Sequence, residues 1–231
     1  IDNLNDYYDP NLKKARIDKL NEFSHFEFHK IDFIKNKELQ PIFENNRLDQ
    51  IIHLGAQAGV RYSISNPQFY IDTNITGFLN ILENSKNYKV QNIIYASSSS
   101  IYGINEKMPF SENDKTEKQI SIYGVSKKTN ELMAHAYSNL YGLNTVGLRF
   151  FTVYGPWGRP DMALFLFTKA MLEGKKIDIY NNGEMLRDFT YIDDVVTSIF
   201  KLLEKPPESN KEIDRSNLTA EKSWAPHRIF N

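Results

Sequence analysis

The stretch Asn92-Ile93-Ile94-Tyr95-Ala96-Ser97-Ser98-Ser99-Ser100-Ile101-Tyr102-Gly103, followed by Tyr123-Gly124-Val125-Ser126-Lys127, decides how this chain is read. Residues 92–96 form a short apolar run of strand type. The serines begin where that strand ends, and the carboxyl ends of strands are where open α/β sheets bind ligands. Tyr123 and Lys127 are four residues apart. On a helix that spacing puts both on one face, one turn apart. A phenol with a pKa near 10 is a poor base at neutral pH. A cation fixed one turn away favours the phenolate. A serine hydroxyl beside them can then hold the oxygen that gains or loses a proton. Tyr-x-x-x-Lys alone is weak, since a solvated helix face explains it in most chains. The serine-rich strand end upstream reverses that balance.

Outward from this stretch, strands alternate with helices. The pattern predicts helices over 11–23, 67–84, 122–141 (with Gly142 as its C-cap), 161–173 (ended by Gly174) and 193–203 (capped by Asp193 or Thr190). Strands are predicted over 25–31, 48–54, 92–96, 144–150 and 176–180, with residues 228–231 reading as the start of another. Residues 205–217, with Pro206-Pro207, read as a loop. The alternation indicates an α/β fold: a parallel sheet covered on both faces.

Composition sets the outer bounds. The chain has 231 residues, 41% of them hydrophobic, 25% charged, and a net charge of −1. It is an ordinary globular balance with no general attraction to nucleic acid or an anionic membrane. There is no cysteine, which excludes a disulfide framework and thiolate metal sites and fits a reducing cytoplasm. No apolar run is long enough to span a bilayer. The five histidines show no ligand spacing, so no metal is expected. The first residue is not Met, and the chain reads as cut at both ends.

On these residues the chain resembles the extended short-chain dehydrogenase/reductases of the NAD-dependent epimerase/dehydratase family. Within that family it is most similar to the UDP-glucuronate 4-epimerase type. The resemblance covers nearly the whole chain. It rests on 1–9 (IDNLNDYYD), 52–62 (IHLGAQAGVRY), 97–103, 123–127, 148–161 (LRFFTVYGPWGRPD) and 187–194 (RDFTYIDD). The 148–161 block is far more specific than the Tyr/Lys pair. The resemblance implies a Rossmann-type doubly wound parallel sheet with part of a smaller C-terminal substrate-binding region. It implies a NAD-binding domain over 1–160 and a partial substrate region over 161–231. The family's first strand and its Gly-x-x-Gly-x-x-Gly loop have no counterpart in this chain.

Roles carry over residue by residue. The resemblance makes Ser98, Tyr123 and Lys127 catalytic. Tyr123 and Lys127 also touch NAD, as do Asp2, Asn3, Asn5, Asp32, Phe33, Leu54, Gly55, Ala56, Asn74 and Phe150. Asp2 would take the adenosine ribose hydroxyls and repel a 2′-phosphate, favouring NAD over NADP. Asp32 and Phe33 would hold the adenine. Asn74, a poor helix residue, would brace the strand ends. Ser99, Ser100, Thr152, Arg159 and Arg187 would bind substrate, with Arg159 taking a sugar carboxylate and Arg187 the pyrophosphate. Ser99 and Ser100 stand where dehydratase relatives carry Asp-Glu. Hydroxyls are no strong acids at pH 7, so their presence argues for epimerisation. The expected activity is a UDP-glucuronate 4-epimerase using bound NAD, with another UDP-hexose, decarboxylation of UDP-glucuronate, or a catalytically incompetent fragment as alternatives. The expected partner is a UDP-sugar, with no nucleic acid and no membrane. A homodimer is expected through the helices at 67–84 and 122–141. Ala134, Tyr137 and Tyr141 would form its second apolar surface, beside a sheet-facing stripe of Leu132, Met133, Ala136 and Leu140.

Overall fold

In chain order the elements are α1 (Pro10–Leu20), α2 (Asn36–Asn45), β1 (Gln50–His53), α3 (Tyr62–Ser65), α4 (Pro67–Tyr70), α5 (Gly77–Asn87), β2 (Asn92–Ala96), α6 (Ile122–Tyr141), β3 (Asn144–Leu148), β4 (Thr152–Tyr154), α7 (Ala163–Leu172), β5 (Phe189–Tyr191), α8 (Ile192–Glu204) and β6 (His227–Phe230). A π-helical turn, Ile71–Thr76, joins α4 to α5, and a 3₁₀ turn, Ser99–Tyr102, follows β2. This computed structural model describes residues 1–214, 216, 218, 219 and 223–231. Residues 215 and 217 of the loop expected at 205–217 lie outside the described residues.

The strands β1-β2-β3-β6 form a four-stranded sheet in that order, all parallel. Ile93 sits between Ile51 and Thr145, and Gly147 between Tyr95 and Ile229. β2 and β3 are buried along nearly their whole length, as strands covered on both faces must be. Ile93 and Tyr95 pack with Leu39 and Phe43 of α2, Phe78 and Leu82 of α5 and Ala134 of α6. A second, two-stranded parallel sheet pairs β4 with β5.

The chain divides into two units. One comprises residues 1–30 and 152–195, the other 31–151 and 196–231. This division crosses the boundary expected at residue 160, because β6 returns to the main sheet beside β3. In the first unit Asp9 caps α1, its side chain accepting from Asn11 N, with Pro10 in the first turn, where a missing N–H costs nothing.

Several expectations change. The strand expected at 25–31 reduces to one bridge, Asp2 with Lys30. Leu4 adopts φ 53° and the Asp2 and Asn3 side chains cap their own turns, so the chain leaves before a ladder can grow. Residues 176–179 lie in no strand, since β4 takes β5 as its neighbour. Asp193 is not the cap of α8 but stands inside its first turn beside Asp194, where negative charge faces the helix dipole favourably. The helix α2 was not expected, because Pro41 lies inside it. Its signal was Leu39 and Phe43, four apart and both in the core. On α6 the expected faces are mixed. Ala134 is fully buried and Tyr137 packs against the core, whereas Leu132 and Leu140 are 61% and 66% exposed; Met133 packs on the core and Tyr141 is exposed, as expected.

Candidate active site

β2 ends at Ala96, and the sheet then holds the serine run by its backbone. Ser97 N donates to Leu148 O at 2.7 Å and Ser99 N to Phe150 O at 2.9 Å. Ser98 is extended and caps the 3₁₀ turn, its Oγ accepting from Ser100 N at 3.1 Å. Ser98 is buried, and Ser99 and Ser100 are half-buried. Gly103 closes the turn at φ 58°, where a Cβ would meet Lys118 O, so a residue with a side chain is excluded by both strain and space.

α6 starts against this turn. Ser121 caps it, Oγ accepting from Gly124 N at 3.0 Å. A Cβ on Gly124 would lie 2.9 Å from Ser100 O. The absence of that atom lets the first turn of α6 approach the serines, and Tyr123 stands in that turn. One turn further, Lys127 is 3% exposed and its Nζ donates to Ala96 O at 2.8 Å. Burial lowers its pKa to about 8, since a low-dielectric site disfavours the ammonium. At neutral pH the group still carries its charge.

Asn74 occupies the π-helical turn and is buried. Its Oδ1 accepts from Gln57 N at 2.8 Å and its Nδ2 donates to Gln57 O at 2.9 Å and Ser126 Oγ at 3.0 Å. Ser126 Oγ in turn donates to Tyr123 O at 2.8 Å. Tyr70 packs edge-on against Tyr123, ring centroids 6.0 Å apart, and its hydroxyl donates to Ala58 O and Gly59 O. The loop after β1, α4 and the start of α6 are thus tied together around Tyr123. Leu54 and Gly55 at the end of β1 are exposed and Ala56 half-buried. Phe33 packs its ring against Gly55 and Gly77 and edge-on to His53. Asp32 accepts from Ile34 N at 3.1 Å.

In the other unit, Asp2, Asn3 and Asn5 cluster in a run of side-chain turns. Asp2 Oδ1 accepts from Leu4 N at 2.7 Å, and Asn5 Oδ1 accepts from Lys13 Nζ at 2.8 Å. Lys13 Nζ also lies 3.8 Å from Asp2. The expected repulsion of a 2′-phosphate by Asp2 is therefore offset by a buried lysine beside it. Thr152 opens β4, with its N–H on Asp188 O. Arg159 engages Asp161 in its own loop, Nε to Oδ1 at 2.9 Å and a terminal nitrogen to Oδ2 at 2.6 Å. Arg187 is exposed and donates to Leu186 O in its own loop.

Residues 5–214 match the NAD dependent epimerase/dehydratase family. The chain belongs to that family. This epimerase/dehydratase-family chain is 53% identical over 231 residues to an uncharacterized 37.6 kDa protein of Escherichia coli O111:H-, covering 100% of this chain and 69% of that one. It is 50% identical over 213 residues to UDP-glucuronate 4-epimerase 4 of Arabidopsis thaliana, covering 90% of this chain and 48% of that one. The structure of UDP-glucuronic acid 4-epimerase from Bacillus cereus in complex with UDP-glucuronic acid and NAD aligns with a TM-score of 0.81 at 36% identity, over 88% of this chain and 64% of that one. The chain spans 48–69% of the length of these relatives.

Sequence reasoning missed Tyr70, which packs on Tyr123 only because α4 and α6 meet, and Ser126, which donates to Tyr123 O within α6 and accepts from Asn74 outside it. It also missed Glu131, although Tyr123, Lys127 and Glu131 recur every four residues. Among the described residues no helix is long and apolar enough to cross a membrane.

Proposed function

We propose that the protein is a nucleotide-sugar 4-epimerase that interconverts UDP-glucuronate and UDP-galacturonate with bound NAD. The observation that carries this reading is the Lys127 ammonium, buried against Ala96 O one helical turn from Tyr123, beside a Ser98–Ser100 run that offers hydroxyls and no carboxylate of its own. Tyr123 takes the proton of the C4 hydroxyl, and Lys127 favours the phenolate that does so. Ser98 holds the C4 oxygen. Ser99 and Ser100 supply polar contacts without an acid able to expel a neighbouring hydroxyl. The residues fit a nicotinamide ribose: a buried ammonium, small residues at the end of β1 and a half-exposed phenol converge at the strand ends. These residues would hold NAD, which would supply the acceptor and donor for the C4 hydride. Asp2, Asn3 and Asn5 are the proposed site for the adenosine ribose. Tyr123→Phe in the protein as its gene encodes it should cut turnover on the order of 10² to 10⁴ with UDP-sugar binding retained. Turnover within about threefold of the parent would overturn the assignment.

One observation favours a second reading. The Arg159 fork is paired with Asp161, an arrangement that fits a neutral hexose. The relatives named above support the uronate, and separating the products formed from UDP-glucuronate and UDP-glucose decides between them.

The nucleotide-sugar substrate and the cysteine-free chain support a cytoplasmic setting. The outward face of α6 supports a homodimer. Val125, Leu132, Ala136 and Leu140 line it and are exposed, opposite the core face of Ser126, Asn130 and Ala134. A two-fold axis would set this stripe against its own copy.

A further inference from the structure

α6 grips the serine strand end at two successive residues. Lys127 holds Ala96 O, and one turn on Glu131 Oε1 accepts from Ser97 Oγ at 2.7 Å. Glu131 also takes the fork of Arg149, Nε to Oε1 at 2.9 Å and a terminal nitrogen to Oε2 at 3.1 Å, the paired geometry in which carboxylate recognition is strongest. The third nitrogen of Arg149 donates to Tyr102 Oη and to Glu112 O, both at 3.0 Å. Ser97 precedes the Ser98–Ser100 run and Tyr102 ends the turn. One ion pair therefore fastens both sides of the segment that carries the proposed C4-oxygen ligand.

The pair is costly where it lies. The side chains of Arg149 and Glu131 are 0% and 5% exposed. Desolvating two ions costs several kcal/mol each, and well-packed apolar residues in their place are often neutral or stabilising. Apolar residues would fill the space, but they could not hold the Ser97 and Tyr102 hydroxyls. Arg149 also neutralises the one carboxylate on the Tyr123–Lys127 face of α6. We propose that Glu131 and Arg149 are positioning residues, which fix the Ser98–Tyr102 turn in register with Tyr123 and Lys127. The assignment rests on the epimerase reading of that site.

The test is the double variant Glu131→Leu/Arg149→Met in the protein as its gene encodes it, which removes both buried ions together and leaves half-buried Lys128, 3.6 Å from Glu131, to solvent. Its thermal midpoint should stay near the parent's, because relief of two desolvated ions offsets the orphaned Ser97 hydroxyl. Amide hydrogen exchange across residues 97–103 should be faster by about tenfold or more. With UDP-glucuronate, kcat should fall by about 30-fold or more while KM stays within about threefold. Arg149→Lys, which keeps the charge without the fork, should fall between parent and double variant in both measurements. If the double variant does not fold, Glu131→Gln, which keeps an acceptor for Ser97 but spoils the fork, carries the same comparison. A folded variant with parent-like protection of the turn and parent-like kcat overturns the proposal. If the parent turns over no UDP-sugar, the epimerase reading falls, and the exchange measurement alone decides whether the pair holds the turn.

Discussion

Lys127 shows what burial does to a single residue. Its folded pKa of about 8 lies below the free value of 10.5. Between those two pH values the unfolded chain binds a proton that the folded chain does not. Stability contributed through this group is therefore present in full above pH 10.5 and is lost as pH falls through 8. Comparing the parent with Lys127→Met by urea denaturation, the stability difference should move in the parent's favour by about 3 kcal/mol across that window. A pH-independent difference would mean that the ammonium is well solvated. Arg159 is the opposite case, a charge satisfied by a neighbour. Arg159→Leu should reduce kcat/KM for UDP-glucuronate and UDP-glucose by similar factors, because it breaks a loop contact with Asp161. Selectivity for one sugar of about tenfold or more would support the carboxylate-binding role.

Between α4 and α5 the backbone widens into one π-helical turn at Asn74, a distortion that recurs at functional sites. Asn130 Nδ2 donates to the Asn74 carbonyl at 2.6 Å, while the Asn74 side chain pairs with Gln57 as a strand neighbour would. Asn74→Ala strips the buried Gln57 N–H and C=O of partners at once. Each orphaned buried group costs about 1–3 kcal/mol, so a loss of about 3 kcal/mol is expected in the unfolding free energy measured by urea denaturation. A loss below about 1 kcal/mol would mean that water replaces the side chain without penalty. For α6, the C-terminal end was legible in the sequence: Gly142 caps it as expected, while the Ser121 N-cap was not foreseen. Its faces were not legible, because apolar residues lie on two sides and periodicity alone does not say which side meets the sheet.

At the scale of the molecule, that second apolar face matters most. Val125, Leu132, Ala136 and Leu140 are exposed in one row along α6, the surface that the proposed dimer would cover. Leu132→Glu/Leu140→Glu should convert a dimer to a monomer by light scattering, with circular dichroism unchanged. Persistence of the dimer at micromolar concentration would move the interface elsewhere. Tyr137 is a poor interface residue, since its hydroxyl donates to Glu83 on the same surface, and Tyr141 lies under the Lys86 ammonium.

The sequence by itself determined the order of the elements, the parallel sheet and the residues at its chemical edge. Strand β2, helix α6 and the Tyr123–Lys127 pair follow from local patterns: a short apolar run, a cap residue and a four-residue spacing; the choice of Ser98 among the four serines came from the family resemblance. Only the tertiary structure decided which charges were already spoken for. Glu131 meets Arg149 and Ser97 across 18 and 34 residues, intervals that no local pattern encodes, while Arg159 meets Asp161 and Lys13 meets Asn5 within their own loops and turns. Periodicity reports which face of an element is apolar. Whether a polar side chain is free for a ligand depends on what the fold brings within about 3 Å of it, the reach of a hydrogen bond.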